Sequence, residues 1–256
     1  MAVVAEGVSG YWGVGVQKGI VGLAARNNAL WCDTICSTHQ GPGEFHEDLW
    51  INRQGVPRFY PDAVTLAGAD AAVAQTRTIS ALMESSPGKR WAVKDSFRCL
   101  DLHDLGFAPL FDARWLGAPS EASAATASRK PRWRRVEDER GLLEWERSWS
   151  GGAQASGPRT FKPALLPEPD IRLVFAVDGG AILGGGVLNQ GASAVGISNV
   201  FAVDRKLHAI WEGLAHCARS AFSGLPLVAY EDRQERLEAA CRAGFSPVGH
   251  LRVWRL

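Results

Sequence analysis

Apolar positions recur along this chain with two different periods, and the elements they predict alternate between helix and strand. From residue 20 to 37, IVGLAARNNALWCDTICS sets Leu23, Leu30, Trp31 and Ile35 near one helical face. Gly41, Pro42 and Gly43 then stop the helix. Leu49 to Asn52 and Ala63 to Leu66 read as short strands, separated by the turn-rich QGVPRFYP. Ala71 to Met83 reads as a helix ended by SSPGK, and Trp91 to Val93 begins another strand. A loose run, Lys94 to Phe111, contains a Gly106-Phe107 turn and leads into a strand that reaches Trp115.

Residues 117–130, GAPSEASAATASRK, are small and polar, the composition of a solvated linker. They predict a division into a first unit, 1–116, and a second, 131–256. Arg129, Lys130, Arg132, Arg134 and Arg135 precede Glu137, Asp138 and Glu139. Charge blocks so opposed cancel each other's distant field, so this stretch reads as a solvated helix entry before a nucleic-acid contact. The helix continues through Leu142, Leu143, Trp145 and Trp149. After a proline-bearing loop the period tightens to two: Ile171 to Val177 and Ala181 to Leu188 flank an Asp178-Gly179-Gly180 hairpin signal. A strand Ala194 to Val203, a helix Ala209 to Phe222, a strand Leu225 to Tyr230, a helix Arg233 to Ala243 and a strand from Pro247 to Trp254 follow. Gly184, Gly185 and Gly186 inside the second strand leave room for a bulge or for another body against the backbone.

The order βββαβαβ calls for a mixed sheet, antiparallel through the hairpins and parallel where helices cross over. The first unit echoes the second. Helix 71–83, a strand near 91–95, Gly106-Phe107 and a strand to Trp115 parallel helix 209–222, strand 225–230, Gly244-Phe245 and a strand to Trp254. The echo admits two tandem related halves or a coincidence of the common Gly-Phe dipeptide, the strand-to-Gly interval being longer in the second unit.

Composition narrows the function classes. The 256 residues are 46% hydrophobic and 21% charged, ordinary for a folded chain, and the net charge of +1 offers no global field to a nucleic acid or an anionic membrane. The five cysteines form no even framework, and the opening segment carries Glu6 and no basic residue before Lys18. The expectation is a cytoplasmic protein with reduced thiols and no membrane partner. Cys32-x3-Cys36-x2-His39 lacks the spacing of a structural zinc knuckle, so no metal site is assigned. Serine elbow, dinucleotide turn and Walker loop are all missing from the sequence.

The strands IRLVFAV, AILGGGVL and AVGISNVFAV, the following helix, LPLVAYED, and RLEAACRAGF before SPVGHLRVW resemble the GCN5-related N-acetyltransferase superfamily. The resemblance implies an α/β (α+β) fold with a mixed central sheet of acyl-CoA N-acyltransferase type. It also implies acyl transfer from acetyl-CoA or another acyl-CoA to a small-molecule amine. By that resemblance Asn199, Val200 and Phe201 offer backbone groups to the pantetheine. The phosphate-binding turn falls on Val203-Asp204-Arg205-Lys206-Leu207-His208, which contains no glycine, so Arg205 and Lys206 become the candidate phosphate contacts. The family's late hairpin is reduced to one strand, and its usual tyrosine falls on Ala240. Glu231 and Asp232, at the end of a strand, suit either a general base or the cap of the next helix. Tyr230 can reach a cleft or pack in a seam. The competing reading is a non-catalytic binding or structural protein on the same fold.

Overall fold

The computed structural model describes residues 14–86, 88–121, 131–152, 159–204 and 206–256. Helix α1 (Val14–Thr38) comes first, followed by β1 (Glu44–Phe45), β2 (Leu49–Ile51), β3 (Ala63–Thr65), α2 (Ala72–Ser85), β4 (Ala92–Asp95) and β5 (Ala108–Ala118). The later elements are β6 (Arg132–Arg135), α3 (Glu139–Trp149), β7 (Ile171–Asp178), β8 (Ala181–Gly191), β9 (Ala194–Ala202), α4 (Leu207–Ala221), β10 (Leu227–Glu231), α5 (Gln234–Arg242) and β11 (Ser246–Arg255).

Among the described residues all strands join one sheet, ordered β1-β2-β3-β4-β11-β5-β10-β9-β8-β7-β6. Only β3–β4 and β9–β10 pair in parallel. This is the mixed α/β sheet expected of the βββαβαβ order. The sequence did not reveal the centre of the sheet. There β5 lies antiparallel between β10 and β11, and β11 lies antiparallel between β5 and β4. The late hairpin that looked truncated is completed by β5, a strand made more than a hundred residues earlier.

Alternation of side chains across the pleat sends successive residues to opposite faces. Leu116, Val195, Leu227 and Ala229 pack with Ile210, Trp211 and Leu214 of α4 and with Ala239 and Ala240 of α5. Their neighbours Trp115, Ala194 and Val228 pack on the other face with Ile20, Val21, Ala24 and Ala25 of α1. Gly184 and Gly186 earn no side chain because α4 is too close: a Cβ at Gly184 would lie 2.8 Å from Ile210, and one at Gly186 3.1 Å from Leu214.

Helix α1 is fixed to the sheet by a buried amide pair. Asn27 Nδ2 donates to the carbonyls of Asn189 (3.1 Å), Gly191 (3.1 Å) and Ala194 (3.3 Å), while Asn189 Nδ2 donates to Asn27 Oδ1 at 2.9 Å. Residues 132–135, read from sequence as a helix entry, form edge strand β6 on β7 instead, with Trp133 seated over Gly213 of α4. Arg129 and Lys130, and linker positions 122–130, lie outside the described residues. No described helix is long and apolar enough to cross a membrane.

Candidate functional site

Strands β9 and β10 are paired only at Val195–Leu227 and Gly196–Val228, and beyond these they diverge. A bulge marks the divergence on β9: between the pairs Val187–Ser198 and Gly185–Phe201, Asn199 and Val200 together face Gly186. Asn199 takes φ +52°, a left-handed conformation that asparagine tolerates better than most side chains. The sheet's other parallel pair, β3–β4, does not open. After Ala63–Val93 and Val64–Lys94, the Ser96 amide donates to Thr65 Oγ1 at 2.8 Å and holds β3 to β4.

A cavity of about 460 Å³ occupies the open fork. Its walls come from three places: β9 from Ile197 to Phe201, β10 and the start of α5 from Tyr230 to Arg236, and an opposite side of Asn28, Trp31 and Cys32 of α1 with Tyr60 and Lys94. The mouth is aromatic. Phe59, 67% exposed, meets Trp149 edge-on at 5.9 Å between ring centres.

The structure brings most of the sequence-predicted residues to this cavity. Asn199, Val200, Phe201, Tyr230 and Glu231 all line it. Ser198 Oγ donates to Asn199 Oδ1 at 3.0 Å. Phe201 is buried, its ring edge-on to Trp145 at 5.4 Å. Lys206 lies apart from the cavity lining, on the surface at the start of α4, where its Nζ is 3.0 Å from Asp204. Arg205 lies outside the described residues.

Glu231 does not cap α5, whose N-cap is Arg233 with no side-chain cap bond. Instead Arg236 grips it: Nε donates to Oε2 at 2.7 Å and an Nη to Oε1 at 3.0 Å. The same guanidinium donates to the Val200 carbonyl at 2.8 Å and so spans the fork. Glu231 is 6% exposed. Burial pushes its carboxyl above the usual range, with Arg236 pulling the other way.

Lys94 is the residue sequence reading missed. Its side chain is buried at 4% exposure, donating from Nζ to Asn28 Oδ1 at 2.7 Å and to the Tyr230 hydroxyl at 3.3 Å. Nζ also sits 4.3 Å from the centre of the Tyr230 ring. Among the described residues no carboxylate forms an ion pair with it. A lysine that directly follows the apolar Trp91-Ala92-Val93 was the available signal. Cys32 is not an activated nucleophile, since burial raises its thiol to about 11 despite the nearby Lys94. No group of His, Cys, Asp or Glu among the described residues could hold a metal ion.

Neither a family model nor a curated protein matches the sequence. Solved structures do resemble the fold. A GCN5-related N-acetyltransferase from Kribbella flavida superposes with a TM-score of 0.60 at 11% identity, over 91% of this chain and 95% of that one. A second, from Sphaerobacter thermophilus, gives 0.51 at 12% identity over 92% and 93%. A Drosophila protein gives 0.52 at 14% identity over 95% and 96%. With its divergent parallel pair and the helices that flank it, the chain has the mixed-sheet fold of the GCN5-related N-acetyltransferases.

Proposed function

We propose that the chain is an acyl-CoA-dependent N-acyltransferase for a small-molecule amine, with acetyl-CoA or another acyl-CoA entering the β9–β10 fork. The fork itself carries this reading: two parallel strands part, β9 bulges, and the cavity between them is lined by β9 residues from Ile197 to Phe201 and by Tyr230 and Glu231 of β10. The fit is good along the pantetheine path, where Ser198 to Phe201 face the cavity, and thinner at the phosphates. There the turn into α4 has no glycine, and Lys206 is engaged by Asp204, so the free amides of the α4 N-terminus are the main anchor.

An acyl-CoA bound there supplies an acyl thioester. The chain's own residues do the rest. Glu231 accepts the proton that the amine must lose, and Arg236 holds its carboxylate in place. The Tyr230 hydroxyl accepts from Lys94, so its own proton is free to be donated to the thiolate that leaves as the amine nitrogen takes the acyl group. Trp31, Trp149 and Trp211 give the cavity apolar surface beside these polar groups.

The two tandem halves, 1–116 and 131–256 joined by 117–130, also belong to this proposal, with Gly117 and Ala118 of the joining segment serving as the last residues of β5. Outward from the central β11–β5 pair, β4, β3, β2 and β1 answer β10, β9, β8 and β7, and β6 has no counterpart. The first half has its fork closed by Ser96 and Thr65, and the second keeps it open. One observation favours a non-catalytic binding protein instead: Arg236 already occupies the Val200 carbonyl.

Calorimetry with acetyl-CoA, followed by a free-thiol release assay over a set of amines, decides between the two. Binding is expected, with Glu231→Gln slowing turnover by about 10²–10⁴. No binding at millimolar acetyl-CoA, or turnover unchanged in both Glu231→Gln and Tyr230→Phe, overturns the acyltransferase.

A further inference from the structure

We infer that the amine accepted by this cavity also carries a carboxylate, on an apolar or aromatic body, and that Lys94 is its counter-ion. That the ligand is an amine rests on the proposed acyl transfer; that it carries a carboxylate rests on Lys94. Charges around the cavity balance except at one point. Glu231 and Arg236 pair with each other, and Asp232 and Arg233, of opposite charge, stand in the same lining. Lys94 is left over, 4% exposed, with two neutral partners, Asn28 and the Tyr230 hydroxyl. A buried ammonium without a counter-charge is costly unless something supplies one.

The surroundings select the anion. A lone ammonium, with no guanidinium fork beside it, balances one negative charge, so a carboxylate suits it better than a phosphate dianion. Asn28 adds an amide close to the same spot. Trp31, Tyr60, Trp211 and Tyr230 give the cavity aromatic walls, which suit an apolar or aromatic body. The class is thus an apolar or aromatic amino acid or a close relative.

Titration calorimetry on the full chain, without any acyl-CoA, tests it with three probes of one shape: L-phenylalanine, 3-phenylpropionate and phenethylamine. The two carboxylates should bind at least about ten-fold more tightly than the amine that lacks one, and Lys94→Met should abolish that difference. Because Lys94→Met removes a buried group and could unfold the chain, Asn28→Asp serves as the second variant. It keeps the side chain's shape, places an internal carboxylate 2.7 Å from Nζ, and should weaken carboxylate binding by a similar factor. Equal affinity for phenylalanine and phenethylamine, no binding of either carboxylate at 10 mM (about 2.7 kcal/mol of affinity), or carboxylate affinity unchanged in a folded variant overturns the inference. Carboxylate binding without acyl transfer would remove the acyltransferase and leave this site standing. Transfer to amines irrespective of a carboxylate would do the reverse.

Discussion

Arg236 holds three acceptor atoms at once, two on Glu231 and one on the backbone of β9, and its loss should therefore be felt beyond the pair. Arg236→Gln leaves Glu231 buried with a weaker partner. Because Arg236 is itself 26% exposed, the cost is discounted from that of a fully buried pair to about 2 kcal/mol. The loss should also depend on pH. Glu231's carboxyl titrates above its unfolded value in the folded protein, and removing the arginine raises it further. The folded state then holds the proton more tightly than the unfolded one. Stability is retained below the unfolded value near 4.5 and declines as pH rises through the folded one. Urea melts at pH 5 and pH 8 should show a larger drop in Arg236→Gln than in the parent. Equal drops would mean that Glu231 is not governed by Arg236. At this scale the sequence disclosed the cavity's β9 and β10 wall, because Asn199 to Phe201 and Tyr230 to Glu231 are each contiguous. It concealed Lys94 and Asn28, which only the fold brings to Tyr230 from 136 and about 200 positions away.

Elements with strong local signals were legible. Leu23, Leu30, Trp31 and Ile35 marked α1, the Asp178-Gly179-Gly180 turn marked β7–β8, and Gly244-Phe245 marked the step from α5 to β11. Strand β6 was not legible, because Arg132, Arg134 and Arg135 obscure the alternation and leave Trp133 as the one apolar cue. What makes it a strand is tertiary: it pairs with β7 and sets Trp133 into the gap at Gly213. Gly213→Ala puts a Cβ into the Trp133 ring, so it should cost about 1–3 kcal/mol. The tryptophan would be pushed out and β6 with it. Hydrogen exchange should then speed up at Arg132 to Arg135 more than at β8 or β9. Uniform acceleration across the sheet would mean that the glycine supports α4 itself and not the edge strand.

For the whole molecule, the exchange of β5 and β11 at the centre of the sheet overrides the division that the linker suggests. A chain cut within 122–130 yields a first piece that holds β5 and a second that lacks it, leaving β10 and β11 without the strand between them. Residues 131–256 alone should therefore show no cooperative thermal transition, while mixing them with 1–121 should restore one in a 1:1 complex. A folded second piece on its own would show that β5 is an accessory. No local pattern encodes such an exchange, since β5 carries the same alternation whichever neighbours it takes.

The same central placement sets an order in time. Asp95 in β4 pairs with Arg252 in β11, 157 positions later. At about 5–20 residues per second the ribosome needs roughly 8–30 s to travel between them. Throughout that interval β4 has an open edge, as β5 does until β10 and β11 arrive. The nascent chain is thus an unclosed template for strand pairing until almost its last described residue has emerged, and its yield in the cell should depend on how well chaperones shield that gap.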